Sequence, residues 1–161
     1  MFIMRKAPRG AAVVVAAAVG MVVGAGGGAG AVAPEADVAY HGYASLRDGR
    51  LDILVLARNH GPAAPADTTV RVTVSAPLAA PGHTLPPGCL WGGDREVLCA
   101  TGALPADGTL RERRLALRTA GTPHEVTVRV ETAWNGGVTD RDPADNRHQV
   151  LVPATGDPYV F

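Results

Sequence analysis

Apolar and polar residues alternate along this chain in short runs that turn residues separate. The runs Thr69 to Ser75 and Glu125 to Glu131 each place three valines on one face and threonine or arginine on the other. Arg50 to Arg58 alternates similarly, with Leu51, Ile53 and Val55 on one face. Because successive side chains of a strand point to opposite faces, these runs predict half-buried antiparallel strands.

Glycine, proline and asparagine punctuate the runs about every ten residues, and they allow or fix the backbone angles that turns need. Further short strands are predicted around Leu115 and Leu117 and around Val150 and Val152. No segment after residue 31 has a sustained helical period. About seven strands with such turns predict an all-β, immunoglobulin-like antiparallel β-sandwich, preceded by a helical signal peptide.

The N-terminal segment has the composition of an export signal. Three basic residues precede an apolar run from Ala11 to Val23, and small residues create possible cleavage sites after Ala31 and Ala33. We expect cleavage near Ala31, since cleavage after Ala33 would put the rigid Pro34 directly after the cut. An uncleaved membrane anchor is the alternative. The expected organisation is a signal peptide at 1–31, a linker at 32–36, a sandwich at 37–153 and a C-terminal tail at 154–161.

The charge of the chain narrows the classes of partner that we expect. Beyond residue 31 the chain has 12 arginines and 15 carboxylates, hence three net negative charges. This disfavours nucleic acid and anionic membranes as partners, so we expect an unknown protein or a cell-wall polymer. Membrane association is expected only if the N-terminal segment stays uncleaved. No cofactor is expected.

The only two cysteines, Cys89 and Cys99, both lie in the exported part, where disulfides persist. They flank the Gly92-Gly93-Asp94 turn signal of a hairpin. If they face each other across that hairpin, Trp91 faces Val97 on the same side, and Leu90 pairs with Leu98 on the other.

Four turn motifs occur in one order along the chain. They are Asn59-His60-Gly61-Pro62 before a valine-rich strand, Pro87-Gly88-Cys89, the Gly102-x-Leu104-x-x-x-Gly108 step after Cys99, and Asp142-Pro143-Ala144-Asp145-Asn146-Arg147. With these, residues 36–153 resemble the immunoglobulin-like conserved-repeat domains of bacterial secreted and surface proteins, relatives of the bacterial cell-adhesion-related domain. The resemblance implies an extracellular spacer or adhesion module without catalysis. Arg147 departs from the family, which has a second asparagine there.

Catalytic constellations are weak in this sequence. Ser45 and Ser75 do not lie in a Gly-x-Ser-x-Gly elbow. A nucleophile pair of His83 and Cys89 would need a free thiol, which the expected disulfide removes. We therefore expect that the protein is not an enzyme.

Two charged clusters remain as candidate sites. Asp140, Asp142 and Asp145 could offer oxygens to calcium, but aspartate and proline also build ordinary turns, and we expect a turn with no metal. The arginines of the second cluster are expected to form a solvated face, with a weak site for an anionic cell-wall polymer as the alternative; they are Arg111, Arg113, Arg114 and Arg118.

Two functions follow as hypotheses. The first is a secreted, non-catalytic module that acts by surface contact at the cell envelope. The second is a small secreted inhibitor or effector that presents the loop Ala76 to Gly88 to a partner enzyme. The four prolines of this loop would limit the conformational entropy lost on binding.

Overall fold

Two antiparallel sheets pack face to face in the computed structural model, which describes residues 32–79 and 84–161. The predicted signal peptide at 1–31 lies outside the described residues, as does the tip of the proline-rich loop at 80–83. Across the described ranges, no helix is long and apolar enough to cross a membrane.

The strands divide between the sheets as follows. The four-stranded sheet has the order β11-β2-β3-β7, built from β2 Val38–Arg47, β3 Arg50–Asn59, β7 Arg111–Arg118 and β11 Tyr159–Val160. The five-stranded sheet has the order β10-β8-β4-β6-β5, built from β4 Thr69–Val74, β5 Cys89–Trp91, β6 Glu96–Ala100, β8 Glu125–Trp134 and β10 Arg147–Pro153. Two short strands, β1 Glu35–Ala36 and β9 Thr139–Asp140, form a parallel pair beside them.

The core lies between the sheets and consists of the predicted apolar faces. The valines of β4 and β8 are buried, as are Leu51, Ile53 and Val55 of β3 and Leu115 and Leu117 of β7. The predicted all-β sandwich is therefore confirmed. Tyr40 is also fully buried; its hydroxyl accepts a hydrogen bond from Thr132 Oγ1 at 3.0 Å, and burial raises the pKa of this phenol.

Both ends of the described chain belong to the fold, whereas the sequence predicts a linker and a tail there. The parallel pairing of β1 with β9 includes residues 35–36, and β11 pairs with β2. Gly42 permits the close approach of both neighbours of β2, because a Cβ at this position would clash with Leu54 O of β3 and would lie 2.9 Å from Phe161 Cζ. A strand of two residues is too short to show a period, which is why the sequence pattern does not predict β11.

A disulfide joins Cys89 of β5 to Cys99 of β6. The strand register is the predicted one, since Cys89 is opposite Cys99, Leu90 opposite Leu98 and Trp91 opposite Val97. Cys99 is buried in the core, whereas Leu90 on the other face is 61% exposed. The bridge therefore fixes an edge strand of only three residues to the sheet.

Asn59, from the first turn motif, is a buried hub at the end of β3. Its Oδ1 accepts hydrogen bonds from the N–H groups of Asp37 and Gly61, at 3.0 and 2.9 Å. Its Nδ2 donates to the carbonyls of Ala63 and Leu104, at 2.6 and 3.3 Å. One amide thus ties together the chain before β2, the turn that contains Gly61 and Pro62, and the loop before β7.

We predict that Asn59→Ala lowers the free energy of unfolding by about 2–3 kcal/mol, because several buried backbone groups lose their partner at once. Urea denaturation measures this. Asn135→Ala is the matched control, since among the described residues the Asn135 side chain bonds to Gly137 and Val138 of its own turn and to no others. A loss at Asn59 no larger than at Asn135 would refute the role of the hub.

We predict that replacing both cysteines by alanine costs about 2–3 kcal/mol, the loop-closure entropy of a bridge of this size in the entropic account. The wild-type protein in reductant should lose a similar amount, whereas the double variant should be insensitive to reductant. Equal stability of wild type with and without reductant would contradict this, provided that mass analysis shows the thiols to be reduced.

Candidate functional site

The loop between β9 and β10 forms a turn through its own aspartates. Asp140 Oδ1 accepts the N–H of Asp142, and Asp142 Oδ1 accepts the N–H of Ala144, both at 3.1 Å. Asn146, which is buried, donates from Nδ2 to Asp140 Oδ2 at 2.6 Å. Both oxygens of Asp140 are therefore occupied by hydrogen bonds, and Pro143 occupies the middle of the turn.

A third carboxylate reaches this loop from elsewhere in the chain. Asp37, between β1 and β2, meets Asp140 and Asp145 so that one oxygen of each lies within 4.8 Å of the others. We call these three residues the acidic cluster. Asp142, which the sequence grouped with Asp140 and Asp145, is outside it. The sequence does not group Asp37 with these residues, because about a hundred residues separate it from the loop. The pairing of β1 with β9 and a hydrogen bond from Tyr40 N–H to Asp145 O, at 3.1 Å, bring it there.

The acidic cluster is electrostatically unfavourable. The Oδ1 atoms of Asp37 and Asp145 are buried, and neither has a hydrogen-bond partner within the part of the chain that the structure describes. Burial, and then the neighbouring charges of Asp37, Asp142 and Asp140, raise the pKa of Asp145, against a smaller opposing effect of His60. Calcium takes 6–8 oxygen ligands, whereas a single proton already relieves the repulsion between two carboxylates. The cluster therefore suits a proton better than calcium.

The predicted arginine cluster divides between two faces of β7. Arg111 Nε donates to Ala103 O at 2.8 Å, and Arg113 Nε donates to Ala100 O at 2.6 Å. These two side chains bind the end of β6 and the loop that follows it. Arg114 and Arg118 instead alternate onto the outer, solvent-facing side of the four-stranded sheet.

Three arginines form a row across that outer face. Arg47 of β2 is directly opposite Arg50 of β3, which is directly opposite Arg118 of β7. We call this set the arginine row. Arg47 and Arg50 flank the β2–β3 turn. The sequence pattern does not group them with Arg118, because they are far from β7 in sequence and only the strand register places them beside it.

Carboxylates neutralise only part of this face. Arg50 forms a two-pronged ion pair with Asp52, at 2.8 and 3.1 Å, and Arg114 pairs with Glu112 on the same strand. All four groups are solvent-exposed, so each pair stabilises the fold little.

An open groove of about 450 Å³ lies beside the arginine row. Its outer-face lining consists of Tyr43, Ser45, Arg50, Asp52, Leu54, Arg114 and Ala116. Two smaller depressions continue from Arg50, one towards Arg47 and one towards Arg118. Tyr43 faces outwards here whereas Tyr40 faces the core, because two residues three apart in a strand point to opposite faces.

The outer face of the five-stranded sheet balances its charges instead. Arg71 of β4 lies between Glu96 and Glu131, 3.2 Å from a carboxylate oxygen of each. Arg147 is 4.0 Å from Glu131, and Arg129 donates to Gln149 at 3.0 Å. Opposite charges alternate from strand to strand on this sheet.

The first part of the proline-rich loop crosses from one sheet to the other. Leu78 is buried, and its N–H donates to Asp94 O in the β5–β6 turn at 2.6 Å. The next N–H, of Ala79, donates to Arg118 O at the end of β7 at 2.8 Å. Residues 76–79 therefore fasten the two sheets together.

Of the nucleophiles considered from sequence, Cys89 is in the disulfide and cannot pair with His83 as a thiol. Ser75 Oγ accepts the N–H of Thr127 at 2.9 Å, at the end of β4. Ser45 lines the groove next to Arg50 and Asp52.

No protein-family model, no curated protein and no solved structure matches this chain. The resemblance to conserved-repeat domains thus depends on the turn motifs alone.

We predict that Asp145→Asn raises the free energy of unfolding at pH 7 by about 0.5–1 kcal/mol, the range for a partly exposed charge contact. A carboxyl with a raised folded-state pKa stabilises the fold below its unfolded pKa of about 3.9, and this contribution is lost as the pH rises through the folded-state pKa. The difference in free energy of unfolding between Asp145→Asn and wild type should therefore shrink as the pH falls to about 4. Thermal denaturation across pH measures this, with the exposed Asp94→Asn as control; a gain independent of pH would contradict it.

We predict that calcium raises the melting temperature of the wild-type protein no more than magnesium does. Bound calcium would stabilise the fold by RT ln(1 + [L]/Kd), about 2.7 kcal/mol at a hundredfold excess over Kd. A calcium-specific rise that disappears in both Asp140→Asn and Asp145→Asn would show that the acidic cluster is a metal site.

Proposed function

We propose that this protein is a secreted, non-catalytic, immunoglobulin-like module that acts by surface contact at the cell envelope. The observation that carries the proposal is the outer face of the four-stranded sheet, where an open groove meets the arginine row. The groove is open and has a mixed lining, with Tyr43 and Leu54 beside charged groups. Aromatic and arginine side chains together are typical of protein surfaces that bind partners.

The extracellular setting is supported by two independent features. A disulfide of the kind that persists in oxidising compartments fastens β5 to β6. The N-terminal sequence also has the three parts of an export signal. The turn motifs point to the same setting, since the domains they resemble belong to secreted and surface proteins.

The contact face is rigid, which favours binding. The strands β2 and β3 are paired over ten residues each, with β7 on one side and β11 on the other. A surface whose backbone is already fixed loses little conformational entropy when a partner binds. The same rigidity would suit the alternative, an inhibitor that uses the loop Ala76 to Gly88, although residues 76–79 are already engaged in joining the sheets.

We predict that fractionation of the native cells recovers the protein with the envelope, with an N-terminus near Val32 by mass spectrometry. The double variant Tyr43→Ala/Arg114→Ala should be released into the medium, because it removes the aromatic and one charged wall of the groove. Thr127→Ala/Arg129→Ala, on the outer face of the other sheet, is the control and should stay bound.

Two results would contradict the proposal. Equal retention of both double variants in the envelope fraction would exclude the outer face of the four-stranded sheet as the contact surface. Free wild-type protein in the medium would favour the inhibitor hypothesis, which a pull-down with immobilised wild-type protein and a variant shortened within 80–87 would then test.

A further inference from the structure

The arginine row places three like charges directly opposite one another on neighbouring strands. Like charges in this position oppose strand pairing, and neighbouring strands lie only about 4.8 Å apart. The row is therefore unfavourable for the isolated sheet. The other sheet avoids this arrangement by alternating arginine with glutamate.

Two members of the row have free hydrogen-bonding capacity. Across residues 32–79 and 84–161, no carboxylate lies within 4.0 Å of the guanidinium of Arg47 or Arg118. Arg47 donates one long bond, of 3.4 Å, to Thr155 O. Exposed guanidinium groups with unused donors match the paired oxygens of a phosphate or a carboxylate.

The charge of the face is opposite to that of the exported chain as a whole. Five arginines and two carboxylates alternate onto this face; they are Arg47, Arg50, Arg58, Arg114, Arg118, Asp52 and Glu112. The rest of the chain after residue 31 then holds seven arginines against thirteen carboxylates. A cationic face on an acidic protein attracts anions to one place, whereas the remainder of the surface repels them.

Building on the proposed function, we infer that the arginine row is the binding site for a linear polyanion that carries phosphate or carboxylate groups. The row spans about 10 Å across three strands, and Arg114 lies about 13 Å from Arg118 along β7. An open face with charges so spaced engages a chain with repeated anionic groups at several points. A single small anion can bridge two neighbouring arginines, but it does not reach the whole row and Arg114 at once.

The test uses the full chain with two defined probes, inorganic polyphosphate and polygalacturonate, and isothermal titration calorimetry from 50 to 200 mM salt. Wild type should bind at least one probe. Arg47→Gln/Arg118→Gln should raise the Kd at least about tenfold, because two charge-assisted hydrogen-bonding groups are removed. It should also reduce the slope of log Kd against log salt by about two, one for each arginine that no longer neutralises an anionic group.

Arg129→Gln/Arg147→Gln is the matched control, since it removes the same charge from the outer face of the other sheet and should change the Kd less than twofold. Binding of polyphosphate alone assigns a phosphate polymer, and binding of polygalacturonate alone assigns a carboxylate polymer. Failure to bind either probe at 50 mM salt, or equal weakening in both double variants, overturns the inference. If envelope retention still depends on Tyr43 and Arg114, the proposed function survives that result.

A ligand-free measurement tests the same geometry. Arg118→Gln should raise the melting temperature by about 1–2 °C at low salt, because it relieves the repulsion from Arg50, and the rise should vanish at 1 M salt. A fall in melting temperature would show that Arg118 stabilises the fold. It would then contradict the inference that the arginine row serves binding at the expense of stability.

Discussion

The removal of two valine faces from water holds this molecule together. The inward valines of β4 and β8 are buried in the core between the two sheets, and each buried valine stabilises the fold by about 1.5–3 kcal/mol before the entropic cost of ordering it. Every other feature described above depends on this core. Asn59 and the disulfide fasten segments that the apolar contact alone does not reach, and the outward side chains take no part in it.

This division explains why the two outer faces differ so much. Inward positions are constrained by volume, so most of them are valine, leucine or isoleucine, with Tyr40, Cys99 and a few alanines among them. Outward positions are constrained only by solubility and by neighbouring charges. On the five-stranded sheet Arg71 lies between two glutamates, whereas on the four-stranded sheet Arg50 lies between two arginines. The row of three arginines does not stabilise the fold, and we therefore attribute it to binding.

Sequence reasoning succeeded where the determining contacts are local. The alternation in Thr69–Val74 and the ten-residue spacing of Cys89 and Cys99 predict a strand and a hairpin register correctly, because both depend on neighbours in sequence. Sequence reasoning failed where a feature depends on contacts between strands that are far apart in sequence. The sequence pattern predicts a tail in place of β11, does not connect Asp37 to the Asp140 loop, and does not group Arg47 and Arg50 with Arg118. Strand order and register bring each of these sets together, and a single sequence does not contain that information in readable form.

The β2–β3 hairpin also separates charge along its length. At its turn Arg47, Arg50 and the neighbouring Arg118 outnumber Asp48 and Asp52, whereas Asp37 adjoins its open end, where the acidic cluster lies. Ten residues of strand put about 30 Å between these two groups. The four-stranded sheet and the acidic cluster together thus form an electric dipole along the hairpin axis. The electric field of an anionic surface exerts a torque on this dipole and rotates the β2–β3 turn towards the surface before any contact forms. The protein therefore arrives at such a surface in the orientation in which the arginine row binds.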